Sequence, residues 1–294
     1  MKRTYVAGAA GMLGQAIHTV FIDHDLSCSD LLKTEPWLTK LDFRNSEDYS
    51  YQVKAFQPDI LMHIGAHTNL EYCQLNVEDA WKTNLMSVQT AVTISNQLDI
   101  PLVYIGTAGI FDGAKDYYDD WDEPNPIGLY AKTKYAGEQY VKKWARKYLI
   151  CRAGWMMGGG PTKDHKFVGN IMKQLKAGVT KIHVVDDKFG APTYTMDFAH
   201  NLKKLLEMEH YGLFNMAGVG SASRYEVAIE ILRITGLSQK VCVEKVKSTH
   251  FNSLYFAPRP RSEILINRKL ERIGLQLNRN WQDALAEYLE TSFS

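Results

Sequence analysis

The chain has 294 residues, 45% of them hydrophobic and 23% charged, and a formal net charge of +1. That composition fits a globular protein of one large domain or two modest ones, and the near-neutral balance carries no electrostatic footprint for nucleic acid. With no apolar run of about eighteen residues, no membrane span is expected. Met1-Lys2-Arg3 ahead of an apolar stretch mimics a signal peptide, but that stretch contains a glycine motif and lacks a cleavage site. Cys28, Cys73, Cys151 and Cys242 are scattered, and neither C-x-x-C nor H-E-x-x-H spacing occurs. Reduced thiols, a cytoplasmic location and no metal site are therefore expected.

In chain order, the apolar run Thr4–Ala7 reads as a strand and is followed by Gly8-Ala9-Ala10-Gly11-Met12-Leu13-Gly14. Glycines at this G-x-x-G-x-x-G spacing permit a tight turn, close backbone approach by a pyrophosphate, and packing of helix on strand. The helix that follows, Met12–Phe21, presents its N-terminus to the phosphates. Further strands are expected at Asp25–Cys28, Ile60–Ile64, Leu102–Ile105 and Leu149–Arg152, with helices at Ser46–Phe56, Val77–Gln97 and Tyr130–Lys147. This alternation implies a parallel, doubly wound sheet over about residues 1–150. Asp30, just past the second strand, is placed to accept hydrogen bonds from the adenosine ribose and favours NAD, whereas Lys33 beside it would suit a 2′-phosphate. Asp42-Phe43 is placed to meet the adenine edge. Tyr130 is the one tyrosine with lysine four residues on, so its phenol and the Lys134 ammonium share a helix face.

Beyond residue 150 the alternation weakens. Gly158-Gly159-Gly160-Pro161 reads as a loop, Phe167–Lys176 as a helix and Ile182–Val185 as a strand. Tyr225–Thr235 reads as a helix capped by Ser223, and Trp281–Leu289 as a last amphipathic helix. A smaller C-terminal α/β substrate lobe over residues 151–294 would close on the cofactor, with a segment near 190–220 returning to the first domain.

The glycine spacing and the Tyr-x-x-x-Lys pair together resemble the extended short-chain dehydrogenase/reductases, a Rossmann-type fold. Further segments narrow the likeness: Ile64-Gly65-Ala66-His67-Thr68, Gly106-Thr107 with Phe111-Asp112-Gly113, Asn125-Pro126, Arg152 with Trp155, Val184 through Tyr194, and Arg259-Pro260. Nearly end to end, the chain resembles the dTDP-4-dehydrorhamnose reductase family of nucleotide-sugar reductases. The resemblance implies NAD(P)H-dependent reduction of the 4-keto group of a nucleotide-linked 4-keto-6-deoxy sugar. Tyr130 would donate the proton, Thr107 would bond the same oxygen, and Lys134 would hold the nicotinamide ribose and favour phenolate. Gly8, Gly11, Met12, Leu13, Gly14, Asp30, Asp42, Phe43, Gly65 and Ala66 would line the cofactor. Ala108, Trp155 as an apolar wall, and Arg259 toward the diphosphate would join Thr107 and Tyr130 around the substrate.

Departures from the family pattern bear on the sugar. The family usually carries Asp-Tyr after the catalytic Thr, where this chain has Ala108-Gly109, so the pocket is expected to lose an acid and a ring and to discriminate differently. Gln15-Ala16 and His200 replace acids of magnesium-bridged members, so a magnesium-linked dimer is not implied; the oligomeric state stays open, with a homodimer through the outer helices compatible with the resemblance. Ala108-Gly109 also lacks the acid–base pair of a 4,6-dehydratase. A nucleotide-sugar 4-epimerase, or a non-catalytic regulatory relative, is the alternative reading.

Overall fold

The computed structural model describes residues 1–275 and 277–293. β1 (Arg3–Ala7) is buried from Thr4 onward, as befits a strand covered on both faces. It turns through Gly8–Gly11 into α1 (Met12–Val20). Next come β2 (Asp25–Asp30), β3 (Leu38–Lys40), α2 (Ser46–Phe56) and β4 (Ile60–His63). α3 (Leu70–Leu75) follows, and over the expected 77–97 helix α4 (Val77–Trp81), a π-helical turn (Lys82–Met86) and α5 (Ser87–Leu98) run on without a break. β5 (Leu102–Thr107) leads through a 3₁₀ turn (Ala108–Ile110) to α6 (Leu129–Trp144) and β6 (Tyr148–Ala153). The expected helix over 130–147 stops at Trp144 because the Asn96 side chain takes over its end. Asn96 Nδ2 donates to the Trp144 carbonyl at 2.8 Å, and its Oδ1 accepts from the Arg146 N–H at 2.9 Å.

The remaining elements are β7 (Trp155–Met157), α7 (Gly160–Lys163), α8 (Phe167–Lys176), β8 (Lys181–Val185), β9 (Phe189–Gly190), β10 (Pro192–Tyr194), α9 (Thr195–Glu207), β11 (Gly212–Asn215), β12 (Ala222–Ser223), α10 (Arg224–Ile234), β13 (Cys242–Val246), β14 (Ser262–Glu263), α11 (Arg268–Arg272) and α12 (Trp281–Phe293). The expected loop at 158–161 is half right: positive φ at Gly158, Gly159 and Gly160 turns the chain, but Pro161 then sits in the first turn of α7. Ser223 caps α10 with a reciprocal capping box to Glu226.

Seven strands pair in parallel in the order β11-β6-β5-β4-β1-β2-β3. The strand order reverses between β1 and β4, which places a ligand crevice at their carboxyl ends. One face of the sheet packs on α1 and α9 through Ile17, Phe21, Phe198 and Leu202; the other is filled by Tyr5, Tyr49, Val92 and Tyr104. A separate apolar cluster joins α8, α10 and α12 in the C-terminal part of the chain, through Ile171, Ile231 and Tyr288.

Candidate active site

The glycine turn is built for close approach. Gly8 has φ +87°, and a Cβ there would lie 2.2 Å from Gly65 Cα; a Cβ on Gly14 would lie 2.0 Å from the Ala9 carbonyl oxygen. Gly11, by contrast, faces open space and starts α1 with no side-chain cap, so the first N–H groups of the helix are free for an anion. Met12 lies beside Gly159 of the C-terminal part. The Leu13 side chain is in the core, which leaves its backbone as the part of that residue near the turn. Lys163 braces the turn, donating to the Ala10 carbonyl at 3.1 Å and pairing with Glu35 at 3.0 Å.

At the end of β2 the Asp30 carboxylate accepts from the Ala10 N–H at 2.9 Å and, more weakly, from the Leu32 N–H at 3.4 Å. Asp42 is less available than the sequence suggests. Arg44 donates to both its oxygens, at 2.8 and 2.7 Å, and these bonds hold its carboxyl below the usual range. Arg44 reaches on to Asp79, which also bonds His67 and Tyr72. The Phe43 ring lies under Gly65: a Cβ there would come within 2.4 Å of it. Ala66 follows on the same half-buried turn.

Below this turn, His63 is fully buried, and burial pushes its pKa down to about 3. Ser87 Oγ donates to the Thr83 carbonyl at 2.6 Å, so it accepts from His63 Nε2–H, and the Tyr49 hydroxyl donates to Nδ1. Asn84, on the π-helical turn, links three segments. Its amide pairs with the His67 backbone through both Oδ1 and Nδ2, and Nδ2 also donates to Thr133 Oγ1 at 3.0 Å. The sequence reading missed Asn84, although an irregular helical turn at functional sites is a known signal.

Thr107 ends β5, and its hydroxyl accepts from the Gly109 N–H at 3.2 Å. Tyr130, on the first turn of α6, lies beside Thr107: the Thr107 hydroxyl and the edge of the Tyr130 ring are 3.5 and 3.9 Å from the point where a Gly109 side chain would begin. Burial pushes the Tyr130 phenol up to about 12, outweighing the opposite effect of Thr107. Burial also lowers Lys134 itself from 10.5 to about 7, with Glu138 acting in the opposite sense. Its ammonium sits 4.2 Å from the centre of the Tyr104 ring, and the Tyr104 hydroxyl donates to the Lys134 carbonyl at 2.8 Å. One turn further on, Glu138 forms a buried two-pronged ion pair with Arg152, at 2.7 and 3.0 Å.

The substrate side differs from expectation at three residues. The 3₁₀ turn sends the Ala108 side chain into a core with Phe111 and Leu265, so Gly109 borders the cleft instead. Trp155 is not an open apolar wall: Arg224 stacks on it at 3.5 Å, Gly190 presses against it, and its indole N–H donates to Glu263 at 2.7 Å. Arg259 is spent on Glu71, with bonds of 2.7 and 2.9 Å that clamp α3 to the 257–260 segment. Glu263, with no motif to announce it, lines the cleft beside Gly109 and Tyr130.

A glycine-rich turn at the switch point of a parallel sheet, with Thr107 at the end of β5 beside Tyr130 and Lys134 one turn on, is the arrangement of a short-chain dehydrogenase/reductase with a dinucleotide seat. The chain belongs to the RmlD substrate binding domain family, whose model matches residues 1–293. It is 27% identical over 292 residues to the spore coat polysaccharide biosynthesis protein SpsK of Bacillus subtilis, covering 99% of this chain and 98% of that one. To the dTDP-4-dehydrorhamnose reductase of Mycobacterium tuberculosis it is 31% identical over 239 residues, covering 79% and 76%. The crystal structure of dTDP-4-dehydrorhamnose reductase from Bacillus anthracis in complex with NADP superposes with a TM-score of 0.90 at 28% identity, over 99% of both chains.

Proposed function

We propose that this chain reduces the 4-keto group of a nucleotide-linked 4-keto-6-deoxy sugar at the expense of NAD(P)H. The observation that carries this reading is Thr107 at the end of β5 beside Tyr130, with Lys134 one turn on, in a sheet whose β1 ends in a turn that requires glycine at Gly8 and Gly14. The residues present fit a dinucleotide: Gly8, Gly14 and Gly65 let the turn pack tightly on its own neighbours, Gly11 leaves the α1 N-terminus open, and Asp30 stands at the end of β2. When bound, the reduced nicotinamide supplies the hydride.

The chain's own residues manage the proton and the charge. A phenol held near 12 keeps its proton at neutral pH, so Tyr130 can donate from Oη to the sugar oxygen as negative charge grows there. Thr107 gives that oxygen a second hydrogen-bond partner. Once Tyr130 has given up its proton, Lys134 is the group on the same helix face whose protonated form favours the phenolate. Asn84, bonded to His67 and Thr133, positions the segments on either side.

Of the two dinucleotides we infer NAD, on the Asp30 carboxylate, which would oppose a 2′-phosphate. We further infer action in the cytoplasm, where reduced nicotinamides are held. Homodimer formation through the outer helices, where Met86 and Trp144 are exposed, is inferred as well. The test is Tyr130→Phe: the variant should bind cofactor as the parent does and lose about 10²- to 10⁴-fold in turnover with a 4-keto nucleotide sugar. Retained turnover would remove the proposed proton donor.

A further inference from the structure

An acid is missing after the catalytic Thr, but the cleft is not without one. Glu263 comes to the same place from β14, over a hundred residues away. Glu263 Oε1 and Thr107 Oγ1 lie 3.2 and 3.5 Å from the one point where a Gly109 side chain would begin, and Tyr130 Cε1 lies 3.9 Å from it. Glycine at 109 is thus what makes room for the carboxylate, since a larger side chain would occupy that volume. Glu263 Oε2 is fixed by the Trp155 indole N–H at 2.7 Å. Trp155 is in turn held under the Arg224 guanidinium, whose positive charge faces the carboxylate. One oxygen is anchored and the other is presented beside the catalytic pair.

We propose that Glu263 is a specificity-determining residue whose Oε1 accepts a hydrogen bond from the C3 substituent of the sugar. This deepens the reductase reading and rests on it. The choice of C3 follows from chemistry. In a 6-deoxy-4-ketopyranose the reacting carbon has two neighbours. C5 carries the ring oxygen and the methyl carbon and offers no donor, whereas C3 carries a hydroxyl. With Thr107 and Tyr130 on the C4 oxygen, a carboxylate oxygen next to them meets the C3 donor. The substrate class is therefore a 4-keto sugar with a free hydroxyl, or an ammonium, at C3. A site built around that donor leaves a half-buried carboxylate oxygen without its partner when the donor is absent.

The experiment uses nucleotide-linked 4-keto sugars that differ only at C3, bearing hydroxyl, amino or hydrogen, against the parent and Glu263→Gln. In parallel, equilibrium binding of the corresponding 4-hydroxy sugars needs no turnover. The parent should favour the C3 donors over the 3-deoxy sugar, and Glu263→Gln should shrink that kcat/KM ratio about 10- to 100-fold. Trp155→Phe, which frees Oε2 from its anchor, should shrink the same ratio to a lesser extent; it decides the matter if the first variant fails to fold. A ratio unchanged in both variants, or equal losses on all sugars, would overturn the assignment. If the parent reduces none of these sugars, the reductase reading fails. The binding preference, and its loss in Glu263→Gln, then decide the role of Glu263 separately.

Discussion

Lys134 is an ionisable group that the fold works against, and replacing it should make the protein more stable. Burial brings its ammonium from 10.5 to about 7. Below pH 7 the charge is present in both the folded and the unfolded chain, and holding it in the fold costs about 5 kcal/mol for a displacement of that size. The contact with the Tyr104 ring returns about 1–2 kcal/mol, leaving a net penalty of about 3 kcal/mol. The sign follows from proton counting. Between pH 7 and 10.5 the unfolded chain holds the proton and the folded chain does not, so parent stability rises with pH across that window. Lys134→Met keeps an unbranched side chain against Tyr104 and has no proton to lose. At pH 6, without cofactor, it should melt about 6 °C above the parent, taking about 2 °C per kcal/mol. The gap should close as the pH approaches 10.5. Thermal melts of both proteins from pH 6 to 10 provide the assay, with turnover of the variant expected to fall sharply. A variant less stable than the parent at pH 6, or a gap independent of pH, would refute the reasoning.

Three further outcomes are expected. Glu138→Ala leaves the buried Arg152 guanidinium, whose Nη1 already has no hydrogen-bond partner, without its carboxylate; the loss should be about 3–5 kcal/mol, read as a lower denaturation midpoint. Asp30→Ser should raise the ratio of kcat/KM for NADPH over NADH about tenfold, since the acid that would oppose a 2′-phosphate is gone; an unchanged ratio would remove the basis for NAD. Gly65→Ala would drive a methyl to within 2.4 Å of the Phe43 ring, so cofactor affinity should fall at least tenfold by titration.

The alternation of strands and helices in the first half was legible because β1, β4, β5 and β6 each carry a compact apolar run and the helices between them carry periodic apolar faces. β3 and α9 were not. β3 has three residues and its apolar Leu38 is buried against β2, a signal too short to read. The pattern of α9 follows a strand of only three residues, and its buried face becomes visible once α1 is known to lie against it. In the site, the glycines and the Tyr130–Lys134 pair were legible because local spacing sets their geometry. Glu263 and Arg224 were not, because they meet Trp155 through long-range packing that leaves no spacing to find. The same packing turned the expected apolar wall at Trp155 into a stacked and hydrogen-bonded indole. Spacing showed the lysine one turn from Tyr130 but not the burial that pushes the phenol up to about 12.

Hydride delivery to C4 of a nucleotide-linked sugar is tested with a deuterium-labelled reduced nicotinamide. The purified protein is incubated with the labelled cofactor and a 4-keto-6-deoxy nucleotide sugar, and the product is examined by mass spectrometry and NMR. The account predicts one deuterium at C4 of the sugar for each cofactor consumed. Cofactor binding without consumption, with the sugar either untouched or inverted at C4, would contradict it.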